Sequence, residues 1–225
     1  PGNQFVSALN CQMRIFTRCN SIDEKRCGPR LMTDDLQLLL AEIRQCRECE
    51  ADLPCGPRPI LAASKEARIL IVGQAPGIRV HESGIPWNDP SGERLRDWMG
   101  ISSEEFYDES KVAIVPMGFC YPGNGKSGDL PPRKECSELW HDRLFAQLTN
   151  VELTLVIGRY AQDYRLGKGV RPTLTETVKS WKEFRPANLV LPHPSPRNNR
   201  WLRNNPWFLE EVVPYLRRRV KKLLK

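Results

Sequence analysis

The chain has no apolar run near the roughly 20 residues that a helix needs to cross a bilayer, which excludes a helical membrane span. It has no internal repeat and no low-complexity segment, which sets aside repeat arrays and linker-like chains. Its first thirty residues lack the basic, apolar and small-residue order of a secretory leader and show neither helical nor strand periodicity. Residues 1–31 are therefore expected to form a disordered extension upstream of a start at Met32, followed by one domain over 32–225, with a cytoplasmic location and a monomeric state. What is present is a chain of 225 residues, 40% hydrophobic and 27% charged, with mean hydropathy −0.49. That is enough for one α/β domain with a buried core and too little for two large ones.

Positive charge on the domain itself is scarcer than the total of +7 implies. Arg217, Arg218, Arg219, Lys221, Lys222 and Lys225 all fall in the last nine residues, and taking those six from +7 leaves +1. The basicity is a C-terminal feature, either a solvated helix end or a phosphate-contacting tail, and says little about a binding face. Disulfides are not expected either: eight cysteines in a reducing compartment serve as ligands, core thiols or catalytic groups. Cys11, Cys19 and Cys27 fall in the extension and the rest in the domain.

Thr33 can cap a helix from Asp34 to Arg44, with Leu36, Leu39, Leu40 and Ile43 on one face. Short apolar runs closed by glycine or proline mark strands at Arg68–Val72, Val112–Val115, Leu153–Ile157 and Asn188–Leu191. Helices are expected from a Ser91 cap through Trp98, from Lys134 to Leu148, from Thr173 to Phe184, and after Pro206, which sits at the first turn of an amphipathic terminal helix. This alternation predicts a three-layer α/β/α fold around a central four-stranded, mostly parallel sheet. Such sheets bind ligands at the carboxyl ends of their strands. Long Gly/Pro-rich loops follow the first, second and fourth strands and should converge there.

The first of these loops reads Gly73-Gln74-Ala75-Pro76-Gly77, then His81, Glu82, Gly84, Ile85, Pro86, Trp87, Asn88 and Asp89. Glycines and a proline there fix the backbone where it must approach something closely, or simply turn it. The loop after the fourth strand reads His193-Pro194-Ser195-Pro196-Arg197-Asn198. A histidine between two prolines at a strand end is held on a rigid, solvent-facing backbone, which suits a functional role better than a core one. A phosphate-binding loop is the weakest reading of Gly73, because no good helix start follows at once.

Together, GQAPG and HPSPRN resemble the two active-site motifs of the uracil-DNA glycosylase superfamily. The pattern GIPW…LRDWMGI (84–87 and 95–101), like HPSPRN, is similar to its single-strand-selective monofunctional branch. The cysteines are similar to another branch, the iron–sulfur-containing family 4: Cys46-x-x-Cys49, then Cys120 and Cys136 with fifteen residues between them. The resemblance covers Thr33 to about Leu216. It implies a DNA partner and a [4Fe–4S] cluster on Cys46, Cys49, Cys120 and Cys136; four thiolates from two stretches also suit tetrahedral zinc, or are unrelated reduced thiols. Cys55 is a spare thiol and an alternative ligand.

The resemblance further implies that a flipped uracil sits between the two motifs, with His193 donating to a carbonyl oxygen as charge develops. Trp87 is placed to stack on the base, and main-chain N–H groups of Gln74 and Ala75 to meet its edge. Ser195, Arg197, Arg200 and Arg203 would contact the DNA backbone. Trp87 in the core and the arginines on an ordinary surface are the bland alternatives. The chain departs from the family in two places. Gln74 and Ala75 stand where relatives carry a carboxylate or asparagine that positions water, leaving Gln74, or the titratable His81, Glu82 and Asp89, as candidates. Pro116 stands four residues before Cys120, where a base-reading asparagine is usual. No lysine occupies either motif, so lyase chemistry is not expected. The implied activity is hydrolysis of the N-glycosidic bond of uracil or a related deaminated base; the alternative is a cluster-containing DNA-binding module without efficient catalysis.

Overall fold

Four short runs, Ile69–Val72 (β1), Val112–Ile114 (β2), Leu153–Ile157 (β5) and Asn188–Leu191 (β6), form a single sheet in the order β2-β1-β5-β6. All three pairings are parallel, with Ile69 opposite both Val112 and Leu153, and Thr154 opposite Asn188. The computed structural model describes residues 35–126 and 128–225. These belong to one compact unit over Thr33–Lys225; the proposed extension, its three cysteines and the Thr33 cap lie outside the described residues.

The strands are apolar throughout because both faces of the sheet are covered. Ile69, Ile71, Leu155 and Leu191 pack with Leu95, Trp98, Phe208 and Leu216 on one side, while Leu70, Val72, Ala113 and Val156 pack with Leu36, Leu40, Ile43 and Leu144 on the other. The helices supplying those layers are Asp35–Arg44 (α1), Pro90–Met99 (α3), Asp142–Gln147 (α5) and Val213–Leu223 (α9). The other α-helices are Ile78–Ser83 (α2), Ser103–Tyr107 (α4), Arg159–Leu166 (α6), Leu174–Lys179 (α7) and Asn199–Asn204 (α8). A two-stranded hairpin, Asn124–Gly125 (β3) with Gly128–Asp129 (β4), completes the set.

Several boundaries differ from the sequence reading, each for a local reason. The cap of α3 is Asp89, not Ser91: its Oδ1 accepts the Gly92 N–H at 2.8 Å, and Pro90 then takes the first helical position. The single helix expected over Lys134–Leu148 is interrupted by a π-helical turn, Ser137–His141, before α5. The helix expected over Thr173–Phe184 keeps its start, where Thr173 and Glu176 form a capping box, but tightens into a 3-10 turn at Trp181–Phe184. The terminal helix also passes through a π-helical turn, Phe208–Val212.

The order of the strands decides where a site can lie. The chain leaves β1 toward one edge and leaves β5 toward the other, so a crevice opens beyond their carboxyl ends. GQAPG leaves β1 there, Gly158 closes β5, and HPSPRN leaves β6.

Candidate active site

A cavity at this crevice, about 420 Å³ counting the space at its mouth, is lined by Gly73, Gln74, Ala75, Pro76, Trp87, Asp89, Pro116 and His193, with Ile60, Val80 and Ile114 among its apolar walls. The two motifs, 120 residues apart at Gly73 and His193, therefore meet around one space. Its walls are mostly apolar, and the polar groups are few and convergent, the general pattern of a small-ligand site.

Trp87 sits in this wall in a conformation that costs energy. Its φ is +57°, the left-handed region that non-glycine residues rarely adopt, at a cost of about 1–3 kcal/mol. Two glycines make room for it. A Cβ on Gly73 would stand 2.9 Å from the Trp87 ring, and one on Gly92 would stand 1.8 Å from its carbonyl oxygen. The indole lies over the His193 imidazole, with ring centroids 5.5 Å apart and planes at 28°. A third ring inserted between them would need about 7 Å, twice the optimal carbon contact of about 3.5 Å. A flat ligand in the cavity can meet Trp87 and His193 at their other faces or edges, and not between them.

The HPSPRN loop locks His193 from within. The Ser195 N–H donates to His193 Nδ1 at 3.2 Å, and the Asn198 side chain donates to the His193 carbonyl at 2.7 Å. With Nδ1 accepting, the ring proton lies on Nε2, which makes Nε2 a donor. Burial holds the imidazole below its ordinary pKa, against the pull of the Asp89 carboxylate. His193 is thus a neutral, oriented N–H donor at neutral pH. Arg94 anchors the same loop by donating to the Ser195 carbonyl at 3.1 Å.

Next to the cavity, and sharing Asp89 and His193 with it, runs an open groove lined by Gly77, Arg79, Asp129, Ser195 and Arg197. The Ser195 Oγ accepts the Arg197 N–H at 3.2 Å. Arg197 is exposed, and so are Arg200 and Arg203, one helical turn apart on α8. Of these three, Arg197 lines the groove.

A family model described as the Uracil DNA glycosylase superfamily matches residues 61–217. The chain belongs to the uracil-DNA glycosylase superfamily. Members of this superfamily are in general DNA glycosylases, and the all-parallel sheet between helical layers is the three-layer α/β/α fold expected of one. The matched region contains both glycosylase motifs, Cys120 and Cys136, but not Cys46 or Cys49.

Those two cysteines nevertheless join the others in space. Cys46, Cys49, Cys120 and Cys136 line one cavity together with Leu53, Pro57, Phe119 and Arg133. Burial pushes the Cys120 thiol up to about 11 and the Cys136 thiol up to about 12, with the neighbouring cysteines adding to both. The Phe119 N–H donates to Cys136 Sγ at 3.4 Å. Cys55 is exposed and does not line this space.

The remaining candidates separate. Asp89 lies at the junction of cavity and groove, one oxygen engaged in capping α3. His81 and Glu82 lie on α2, where Arg58 donates to both their carbonyls; the His81 ring faces Tyr121, and Glu82 is exposed. Gln74 lines the cavity, but its Nε2 donates to the Leu130 carbonyl at 3.2 Å. The sequence reading missed Asp129 and Arg94. Asp129 sits in a Gly-rich stretch that reads as loop, and only the hairpin turns it toward the first motif. Among the described residues, no helix is long and apolar enough to cross a membrane.

Proposed function

We propose that this domain hydrolyses the N-glycosidic bond of uracil, or of a related deaminated base, in DNA, leaving an abasic site. The observation that carries the reading is the tautomer and position of His193: a neutral Nε2–H donor held at the wall of a cavity between the two motifs. A departing pyrimidine accumulates negative charge, and a fixed donor aimed at its carbonyl oxygen stabilises that charge without reorganising. The flipped base enters the cavity, its ring against the free surface of Trp87 and its edge toward the main chain of Gln74 and Ala75. Pro116 offers that edge no N–H and turns its carbonyl to His141 Nε2 at 3.1 Å. Base choice therefore falls to His193, the main chain and the cavity's shape. Ser195, Arg197, Arg200 and Arg203 hold the DNA backbone along the groove. Asp89 and Gln74 are candidates for orienting water; His81 and Glu82, which lie apart from the cavity lining, are weaker ones.

Four thiols lining one cavity are a donor set that suits a [4Fe–4S] cluster, with tetrahedral zinc as the alternative. The cluster when bound would crosslink the segment after α1 to the loop after β2, through Cys46 and Cys49 on one side and Cys120 and Cys136 on the other. Phe119 N–H and Arg133 stand ready to donate to the sulfurs.

The test is base release from single- and double-stranded oligonucleotides carrying one uracil. Wild-type protein is expected to release the base, and His193→Ala to lower the single-turnover rate by about 10²–10³-fold, the usual effect of losing one oriented donor. Tight binding with no released base would instead establish a DNA-binding module.

A further inference from the structure

The attacking water finds no carboxylate in the first motif, because Gln74 and Ala75 occupy those positions and the Gln74 amide is engaged by Leu130. The hairpin that receives this bond brings a carboxylate of its own. Asp129 precedes Leu130, and its Oδ2 lies 3.4 Å from where a Cβ on Gly77 would stand. It faces the groove together with Gly77, Asp89, His193 and Arg197. The hairpin is held by three contacts: Asp129 pairs with Asn124, the Leu130 N–H donates to the Gly123 carbonyl at 2.9 Å, and the Gln74 amide donates to the Leu130 carbonyl at 3.2 Å. Gly128 has φ of +143°, and a Cβ there would stand 2.5 Å from Arg197 Nη1, so the hairpin also abuts the HPSPRN loop.

We propose that Asp129 is the group that orients the hydrolytic water and accepts its proton, a role that rests on the glycosylase reading above. The water oxygen bonds to C1′ of the deoxyribose as the bond from C1′ to the base nitrogen breaks. The bonding pair leaves on the base, where His193 Nε2–H meets the growing charge. The water's proton passes to Asp129 and then, through solvent, to the base anion, so that one water is consumed and a neutral base is released. Asp89 is less free for this task, since its Oδ1 already caps α3.

The surroundings of Asp129 suit a base. Burial raises its pKa above the ordinary carboxylate value; the Arg197 guanidinium opposes this and the Asp89 carboxylate adds to it. The other groups facing it are His193 and Arg79 across the groove and the Tyr121 phenol. An ionised Asp129 is needed for proton acceptance, so activity is expected to fall as pH drops through its raised pKa.

The experiment compares wild type, Asp129→Asn, Asp129→Glu and Asp89→Asn in single-turnover base release across pH, with oligonucleotide affinity and thermal melting measured on each. Expected is a loss of about a hundredfold or more for Asp129→Asn at unchanged affinity and melting temperature, with the acid limb of the profile gone and partial rescue by Asp129→Glu. A fully active Asp129→Asn, a loss traced wholly to weaker DNA binding or to unfolding, or a comparable loss confined to Asp89→Asn overturns the assignment while the glycosylase reading stands. A wild-type protein that releases no base overturns both.

Discussion

Replacing His141 by phenylalanine tests how a buried histidine couples pH to the integrity of the cavity. His141 is fully buried on the π-helical turn, among the rings of Phe119, Phe145 and Tyr164 at 5.4, 5.1 and 5.3 Å. Its Nε2 donates to the carbonyl of Pro116, a residue of the cavity wall, and its Nδ1 has no partner. A second proton would place a charge in that apolar cage, so burial lowers the pKa from 6.5 to about 4, with the Pro116 bond opposing and Arg165 adding to the fall. The sign follows directly. Below 6.5 the unfolded chain takes a proton that the folded chain refuses, so stability is present above that value and is lost as pH falls toward the folded pKa. At about 1.4 kcal/mol per pH unit, the loss is about 2 kcal/mol between about pH 7 and about pH 5, and about 3 kcal/mol when complete. His141→Phe keeps the aromatic packing and strands the Pro116 carbonyl, at about 1–3 kcal/mol near neutral pH. Urea melts of both proteins, followed by tryptophan fluorescence, should show the stability gap narrowing by about 2 kcal/mol from about pH 7 to about pH 5. The thiol site is common to both proteins, so its own acid sensitivity cancels. A gap that does not change with pH would refute the reasoning.

Gly92→Ala forces a methyl to 1.8 Å from the Trp87 carbonyl, a backbone clash, and should lower stability by about 3 kcal/mol or more, with shifted tryptophan emission as Trp87 moves. Gly56→Ala, with nothing within 4 Å but a φ of +72°, should cost only the backbone strain of about 1–2 kcal/mol; equal melting temperatures for the two variants would contradict the packing account. Arg197→Ala should weaken binding to any DNA sequence and reduce the slope of log K against log salt by about 1, and an unchanged slope removes Arg197 from the phosphate contacts. Cys120→Ser should strip iron and sulfide from anaerobically purified protein while Cys55→Ser retains both. Equal metal content in the two would sink the proposed ligand set.

Much of this fold is legible in the sequence. The four central strands were legible because a sheet covered on both faces needs unbroken apolar runs, and only short ones. GQAPG and HPSPRN were legible because backbone rigidity at a strand end is written in glycine and proline, and their family resemblance matches the superfamily to which the chain belongs. Helix boundaries were less so. Ser91 looks like a cap, but Pro90 occupies the first helical position and moves the cap back to Asp89. The π-helical turns leave no periodic signature in sequence.

What composition and spacing determine is chain-local: which segments are apolar enough to bury, which turns are stiff, which residue types are available for chemistry. Tertiary structure alone decides which of those residues face one another. Four of the five described cysteines share a cavity and Cys55 does not; Asp89 reaches the site while Glu82, seven residues earlier on α2, stays exposed; Asp129 arrives from a hairpin with no motif of its own. The reason is physical. Burial and covalent stiffness act along the chain and leave a pattern in it, whereas the proton on His193 Nε2 and the room for Trp87 depend on contacts between segments, which no local pattern records.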